Sequence, residues 1–290
     1  MEPTQGICFY AYNNEHIDYV RLSMFAAKKA KKYLDRPTCL ITNSGSYSWL
    51  QESFTQEVIM QSFDHIVLTD DSLEKNIRVH HDSPWTEFKA QFSNSNKHKI
   101  WEYSPFDQTL LLDIDYILKT DYLEHVFDSY TGVAMFDKAT TLRNASVHPN
   151  EKRLSYNGIK MWWSTVVYFD RSETSKLFFD MWAHVKDNYQ FYKLLYNFPG
   201  HMYRTDYCVS IAAHILDGML PGDTINNFNS TMQNLSQKDD IIKSVDDETW
   251  ICLAHDPVEN WKNLLVRHEK YDIHCMNKRA LGRLIEDHNE

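Results

Sequence analysis

The chain has 290 residues, room for one large domain or two small ones, and its 43% hydrophobic content supports a sizeable core. Eight glycines and eight prolines exclude a fibrous or low-complexity protein. Forty acidic against 30 basic residues give a formal charge of −10, which argues against binding nucleic acid over the whole surface while leaving room for a local basic groove.

Residues 6–13, GICFYAYN, predict a first strand, and 19–34, rich in Ala and Lys with a basic last turn, predict a helix. A second strand is predicted at 37–43, a helix at 49–60 and a third strand at 65–70. Residues 87–104 read as helical in part, and 109–115, TLLLDID, as a fourth strand with the continuous apolar character of one covered on both faces. This alternation implies βαβ units and a mostly parallel sheet. Further on, 160–170 predicts a strand, 172–196 one long amphipathic helix capped by Ser172, 204–220 a helix stopped by Pro221-Gly222, and 250–256 a late strand. The end of the chain reads as a short strand or loop followed by a helix. No repeat or long linker divides the chain, so a single domain over 1–290 is expected.

Five widely spaced cysteines, Cys8, Cys39, Cys208, Cys252 and Cys275, form no C-x-x-C pair and read as reduced, buried thiols. The first residues lack a basic start followed by an apolar core, and no apolar run approaches the ~18 residues of a membrane span. The expectation is a soluble, cytoplasmic protein with no membrane partner.

Asp113 and Asp115 end the apolar run Leu110-Leu111-Leu112. Residues two apart on a strand point the same way, and the carboxyl edge of a parallel strand faces the crevice where α/β proteins bind ligands. Two hard oxygen donors there suit magnesium or manganese bridging a diphosphate. The alternative is a pair of solvated loop acids.

The stretch 104–127, SPFDQTLLLDIDYILKTDYLEHVF, resembles the D-x-D region of GT-A glycosyltransferases, which use sugar nucleotides. The similarity extends to ICFYAYNN near the start, to WWSTVVYFDRSETSKLFFDMW (162–182), to YRTDYCVSIAAHIL (203–216) and to DIHCMNKRAL (272–281), and so covers nearly the whole chain. It looks most like the small glycosyltransferases of tailed phages. The resemblance implies a GT-A-like (Rossmann-like) α/β domain whose residues 1–120 bind nucleotide and whose residues 121–290 bind acceptor and close the metal site. It implies Asp113, Asp115 and His274 as metal ligands for manganese or magnesium, with Asp113 also reaching the ribose. Lys278 would neutralise the departing diphosphate, and Asp206 would touch the donor sugar. Ala11, Tyr12 and Asn13 would line the base pocket, and Lys99, with Lys97, would reach phosphate; a solvated helix face is the other reading of these lysines. Trp162 and Trp163 read as core by default.

The donor implied is a nucleotide sugar, UDP-linked for preference. The acceptor is a glycan, a protein or a hydroxymethylated base in phage DNA, the last supported by basic runs such as Lys28-Lys29-Ala30-Lys31-Lys32. The chain departs from many relatives in having Trp163-Ser164-Thr165 in place of Asn-Ala-Gly and Asp206-Tyr207 in place of Asp-Gln, so neither stereochemical course is implied. Two other readings stand beside this one. LLLDIDYIL also looks like the first motif of haloacid-dehalogenase-type phosphatases, with GDTINN (222–227) near their late acidic motif, although Ile117 and the three preceding βα elements do not fit. A sugar-nucleotide-binding protein without catalysis is the other.

Overall fold

Seven strands build the central sheet of this computed structural model: β1 (Gln5–Tyr10), β2 (Thr38–Thr42), β3 (His65–Leu68), β4 (Gln108–Leu112), β5 (Val133–Phe136), β6 (Trp163–Asp170) and β7 (Ile225–Asn227). The structure describes residues 3–69, 76–93, 96–144, 153–154, 159–198, 202–256 and 258–287. The spatial order is 3-2-1-4-6-5-7. β6 is antiparallel to both its neighbours, and the other six strands run one way. The expected α/β fold, a mostly parallel sheet flanked by helices, is what the chain forms.

The continuous apolar strands are covered on both faces. Ile7, Phe9, Leu110 and Leu112 join one core cluster, whereas Cys8 and Leu111 join the other. The helix Tyr19–Leu34 lies in the first cluster; the helices Glu173–Asp187 and Thr205–Leu216 lie in the second. All five cysteines are buried free thiols.

From β1 the chain steps outward through β2 to β3, then returns to place β4 on the other side of β1. The carboxyl ends of β1 and β4 therefore flank the point where the winding reverses, and a crevice opens there. A second, four-stranded sheet crosses this edge in the order Tyr116–Ile117, Ile273–Cys275, Met232–Leu235, Ala139–Thr141. It pairs His274 with Tyr116, and the Cys275 amide donates to the Asp115 carbonyl at 2.7 Å. The tail of the chain is thus bound to the segment that follows β4.

Several elements differ from the sequence-based expectation. The predicted helix 49–60 is two, Ser44–Ser53 and Gln56–Ser62, because Phe54 is extended and Thr55 caps the second by accepting from the Val58 amide. The predicted helix 172–196 is broken at Asn188, whose side chain turns back to donate to the His184 carbonyl at 2.9 Å. Residues 87–104 are mostly not helical. Glu87–Phe92 pairs antiparallel with Asn76–His81 in a hairpin, followed by one turn of 3-10 helix at Lys97–Lys99 and a short helix at Ile100–Tyr103. β4 ends at Leu112 because Asp113 turns out of the sheet, its carbonyl accepting from the Tyr116 amide at 2.9 Å.

Candidate active site

A cavity of about 380 Å³ lies at the switch point, lined among others by Tyr10 and Tyr12 from the end of β1, Asp113 and Asp115 from the turn after β4, and His274 and Lys278 from the late segment. The turn aims its two acids inward while the intervening Ile114 is buried. Asp115 is itself buried, with Lys278 Nζ 2.5 Å and His274 Nε2 3.4 Å from Oδ2. Burial works to raise the Asp115 carboxyl, but the Lys278 ammonium beside it overrides this and holds it well below the usual carboxylate range. Asp113 reaches further into the opening and meets Lys97 Nζ at 2.6 Å. Burial raises its carboxyl; Lys97 opposes this, and the neighbouring Asp115 charge adds to the rise, leaving the balance upward.

His274 Nδ1 is 2.8 Å from Asn234 Oδ1. With Nδ1–H donating to that oxygen, Nε2 presents a lone pair to the Asp115 carboxylate. Two acceptors face each other, an arrangement that a cation between them relieves. One donor atom each from Asp113, Asp115 and His274 lies within 4.8 Å of the others. Two carboxylates and one oriented imidazole fit a small divalent ion, and the nitrogen ligand favours manganese over magnesium.

Asp206, in the first turn of the helix Thr205–Leu216, closes the opposite wall. Its Oδ1 accepts from the Ser164 amide at 2.9 Å and hydroxyl at 2.8 Å, and its Oδ2 faces Arg204 at 3.4 Å. Burial opposes ionisation, yet Arg204 and the Ser164 donors keep this carboxyl below its ordinary value. The Ser164 carbonyl in turn accepts from Lys97. A chain of charge contacts therefore runs from Arg204 through Asp206, Ser164 and Lys97 to Asp113. Ser164, one of the departures from the resembled family, is the residue that joins β6 to this chain.

The structure brings together Tyr12, Asp113, Asp115, Asp206, His274 and Lys278 around one cavity. It does not bring Ala11, Asn13 or Lys99 to the lining. The Ala11 carbonyl accepts from the Thr42 hydroxyl at 2.6 Å, and the Asn13 side chain accepts from the Val20 amide at 2.9 Å, tying the β1 exit to its neighbours. Lys97, not Lys99, faces the cavity, because the 3-10 turn sends the two side chains in different directions. The lining also contains Tyr19, Asn76, Arg78, His80 and Arg204, which the motif reading missed. The period-two alternation of NIRVHH and EFKAQF is the signal that would have revealed the hairpin. His80 is held near neutral charge, its imidazole lowered to about 3 by burial and then by Lys278 and Arg78.

No protein-family model matches the chain, and no curated protein is similar to it in sequence. Solved structures share part of its fold. It is similar to an active-site mutant of LgtC at 14% identity and a TM-score of 0.47, over 77% of this chain and 72% of that one. It is similar to mouse xyloside xylosyltransferase 1 at 13% identity and a TM-score of 0.41, over 72% and 82%. A putative glucose-1-phosphate thymidylyltransferase from Bacillus anthracis, in complex with a sucrose, is similar at 10% identity and a TM-score of 0.44, over 79% and 87%.

Proposed function

We propose that the chain is a metal-dependent glycosyltransferase that moves a sugar from a nucleotide-sugar donor, UDP-linked for preference, to an acceptor hydroxyl. One observation carries this reading. Asp113, Asp115 and His274 converge within 4.8 Å at the switch point of the sheet, with the Lys278 ammonium beside them. Those three residues would hold a manganese or magnesium ion, which supplies positive charge to a diphosphate leaving group.

Lys278 adds a second positive charge from the protein, at the first residue of the helix Lys278–Asp287, so its position is set by the fold before substrate arrives. Lys97 holds the Asp113 carboxylate in place. Asp206, fixed by Ser164, would accept from a sugar hydroxyl. Tyr10 and Tyr12 form the wall on the β1 side, where the base would lie. Residues 1–120 are assigned to the nucleotide, and residues 121–290 to the acceptor and the late metal ligand.

A sugar hydroxyl suits the acceptor better than a hydroxymethylated DNA base. The basic run on the first helix is drawn into ion pairs: Lys29 and Lys32 lie 3.2 Å and 3.0 Å from Asp247, and Lys31 lies 2.9 Å from Asp64. The phosphatase reading loses support as well, since GDTINN leads into the edge strand β7, three places from β4, and Asp223 does not line the cavity.

The test is release of free nucleotide from a panel of UDP- and GDP-sugars with manganese. Turnover of one donor, lost in chelator and restored by the ion, is the expected result. Undiminished turnover in excess chelator overturns the metal assignment, and metal-dependent donor binding without any turnover favours the non-catalytic reading.

A further inference from the structure

Tyr19 belongs to the core and to the cavity at once. It is the first residue of the helix Tyr19–Leu34 and part of the core cluster on that side of the sheet, and it also lines the cavity, only 7% exposed. The first turn of its helix is pinned. The Asp18 side chain accepts from the Arg21 amide at 3.0 Å, and Asn13 accepts from the Val20 amide at 2.9 Å. Core packing and a pinned backbone together fix where the Tyr19 hydroxyl lies.

That hydroxyl is buried and meets no hydrogen-bond partner among the described residues. Buried polar groups in folded proteins are nearly always paired, and one left alone destabilises the fold. A phenylalanine would fill the same core space without that cost. The surroundings say what kind of partner the hydroxyl suits. Burial, and after it the Asp115 carboxylate, push the Tyr19 hydroxyl up, while Arg78 works the other way. Asp115 is therefore a neighbour, but its Oδ2 is engaged by Lys278 at 2.5 Å. Asp113, the other acid of the turn, is engaged by Lys97 at 2.6 Å. Arg78 and Lys278 line the same cavity. A fixed hydroxyl among two cations and two engaged carboxylates suits an anionic oxygen, to which its hydrogen bond is also strongest.

We propose that Tyr19 is a substrate-contacting residue whose hydroxyl donates to a phosphate oxygen of the donor's diphosphate. This rests on the proposed transfer from a nucleotide sugar. The hydroxyl thus destabilises the ligand-free chain and strengthens its hold on the donor and on the departing nucleoside diphosphate.

The test compares the native chain with Tyr19→Phe by calorimetry and by urea unfolding. The probe is whichever of UDP and GDP the native chain binds more tightly with manganese. The substitution should weaken that binding about tenfold, the worth of one hydrogen bond to a charged acceptor. Manganese alone should bind both chains equally, and so should the nucleoside without its phosphates. The ligand-free variant should unfold at the same urea concentration as the native chain or a higher one. Unchanged nucleotide affinity overturns the proposal. An equal loss with the nucleoside also overturns it, because the hydroxyl would then face the base or ribose. Weakened manganese binding does so too, by placing the effect in the metal site, as does a variant that unfolds more readily without ligand, since the hydroxyl would then be structural. If the native chain binds neither nucleotide, the nucleotide-sugar reading falls and takes this proposal with it; if the native chain binds and the variant matches it, only the role of Tyr19 falls.

Discussion

His274 Nδ1 and Asn234 Oδ1 lie 2.8 Å apart, and this contact turns Nε2 of the imidazole toward Asp115. Asn234 lies on the strand Met232–Leu235, paired in register with His274. The second sheet thus sets the orientation of a metal ligand through an ordinary cross-strand neighbour. Asn234→Ala should weaken manganese affinity by about 10–100-fold, the usual effect of removing a partner that orients a ligand. A binding isotherm by calorimetry checks this; unchanged affinity would mean that the imidazole is oriented by other contacts.

Metal binding should also stabilise the fold without any donor. At a free ion concentration about a hundredfold above the dissociation constant, the gain is about 2.7 kcal/mol. Urea unfolding with and without manganese measures it. The gain should be lost in His274→Ala, while a Lys278→Ala chain, which keeps all three donors, should still respond to the ion.

Asp115→Asn should lower donor turnover about a hundredfold, because a charged ligand beside the leaving diphosphate is removed. The same change should also destabilise the protein by about 3 kcal/mol, since a buried ammonium loses its counter-charge. The Asp115 carboxyl is depressed in the fold, so this stabilisation is complete at neutral pH and is lost only in strong acid. Pairing Asp115→Asn with Lys278→Met should recover most of the stability and none of the turnover. A single variant as stable as the native chain would contradict the ion pair seen here.

Lys119 offers a pH test away from the metal. Its ammonium is buried over the Trp250 ring, 3.5 Å from the centroid, and 3.2 Å from His268 Nδ1. Burial lowers it from 10.5 to about 7. Across that window the unfolded chain holds a proton that the folded chain sheds, so stability rises with pH; below about 7 the fold carries the buried charge at full cost. Lys119→Met should therefore raise the urea midpoint at about pH 6, and the gain should shrink toward pH 10. An equal gain at both would show that packing, not charge, sets the difference.

Much of the sheet was legible because its chemistry is local. A strand covered on both faces must be apolar throughout, and the run up to Leu112 is. The two acids that follow it announce a site because a buried strand cannot end on unpaired carboxylates without a partner. The hairpin was legible only as the alternation of its two strands, which 87–104 mixes with good helix formers; the pairing of Glu87–Phe92 with Asn76–His81 decides between them. The break at Asn188 was not legible, because amphipathic character continues through it and one side-chain hydrogen bond ends the first helix.

The sequence by itself determined the βαβ beginning, the apolar strands and the residue types able to hold a divalent ion and a diphosphate. These follow from periodicity and from the donor chemistry of single side chains, which depend on near neighbours. Only the tertiary structure decided that Lys97 and not Lys99 faces the cavity, that Ser164 joins Asp206 to Lys97, and that Lys278 meets Asp115 across 163 residues of chain. Those relations depend on strand order and on the direction of a single helical turn. Both are set by long-range packing of the whole chain, which no window of the sequence contains.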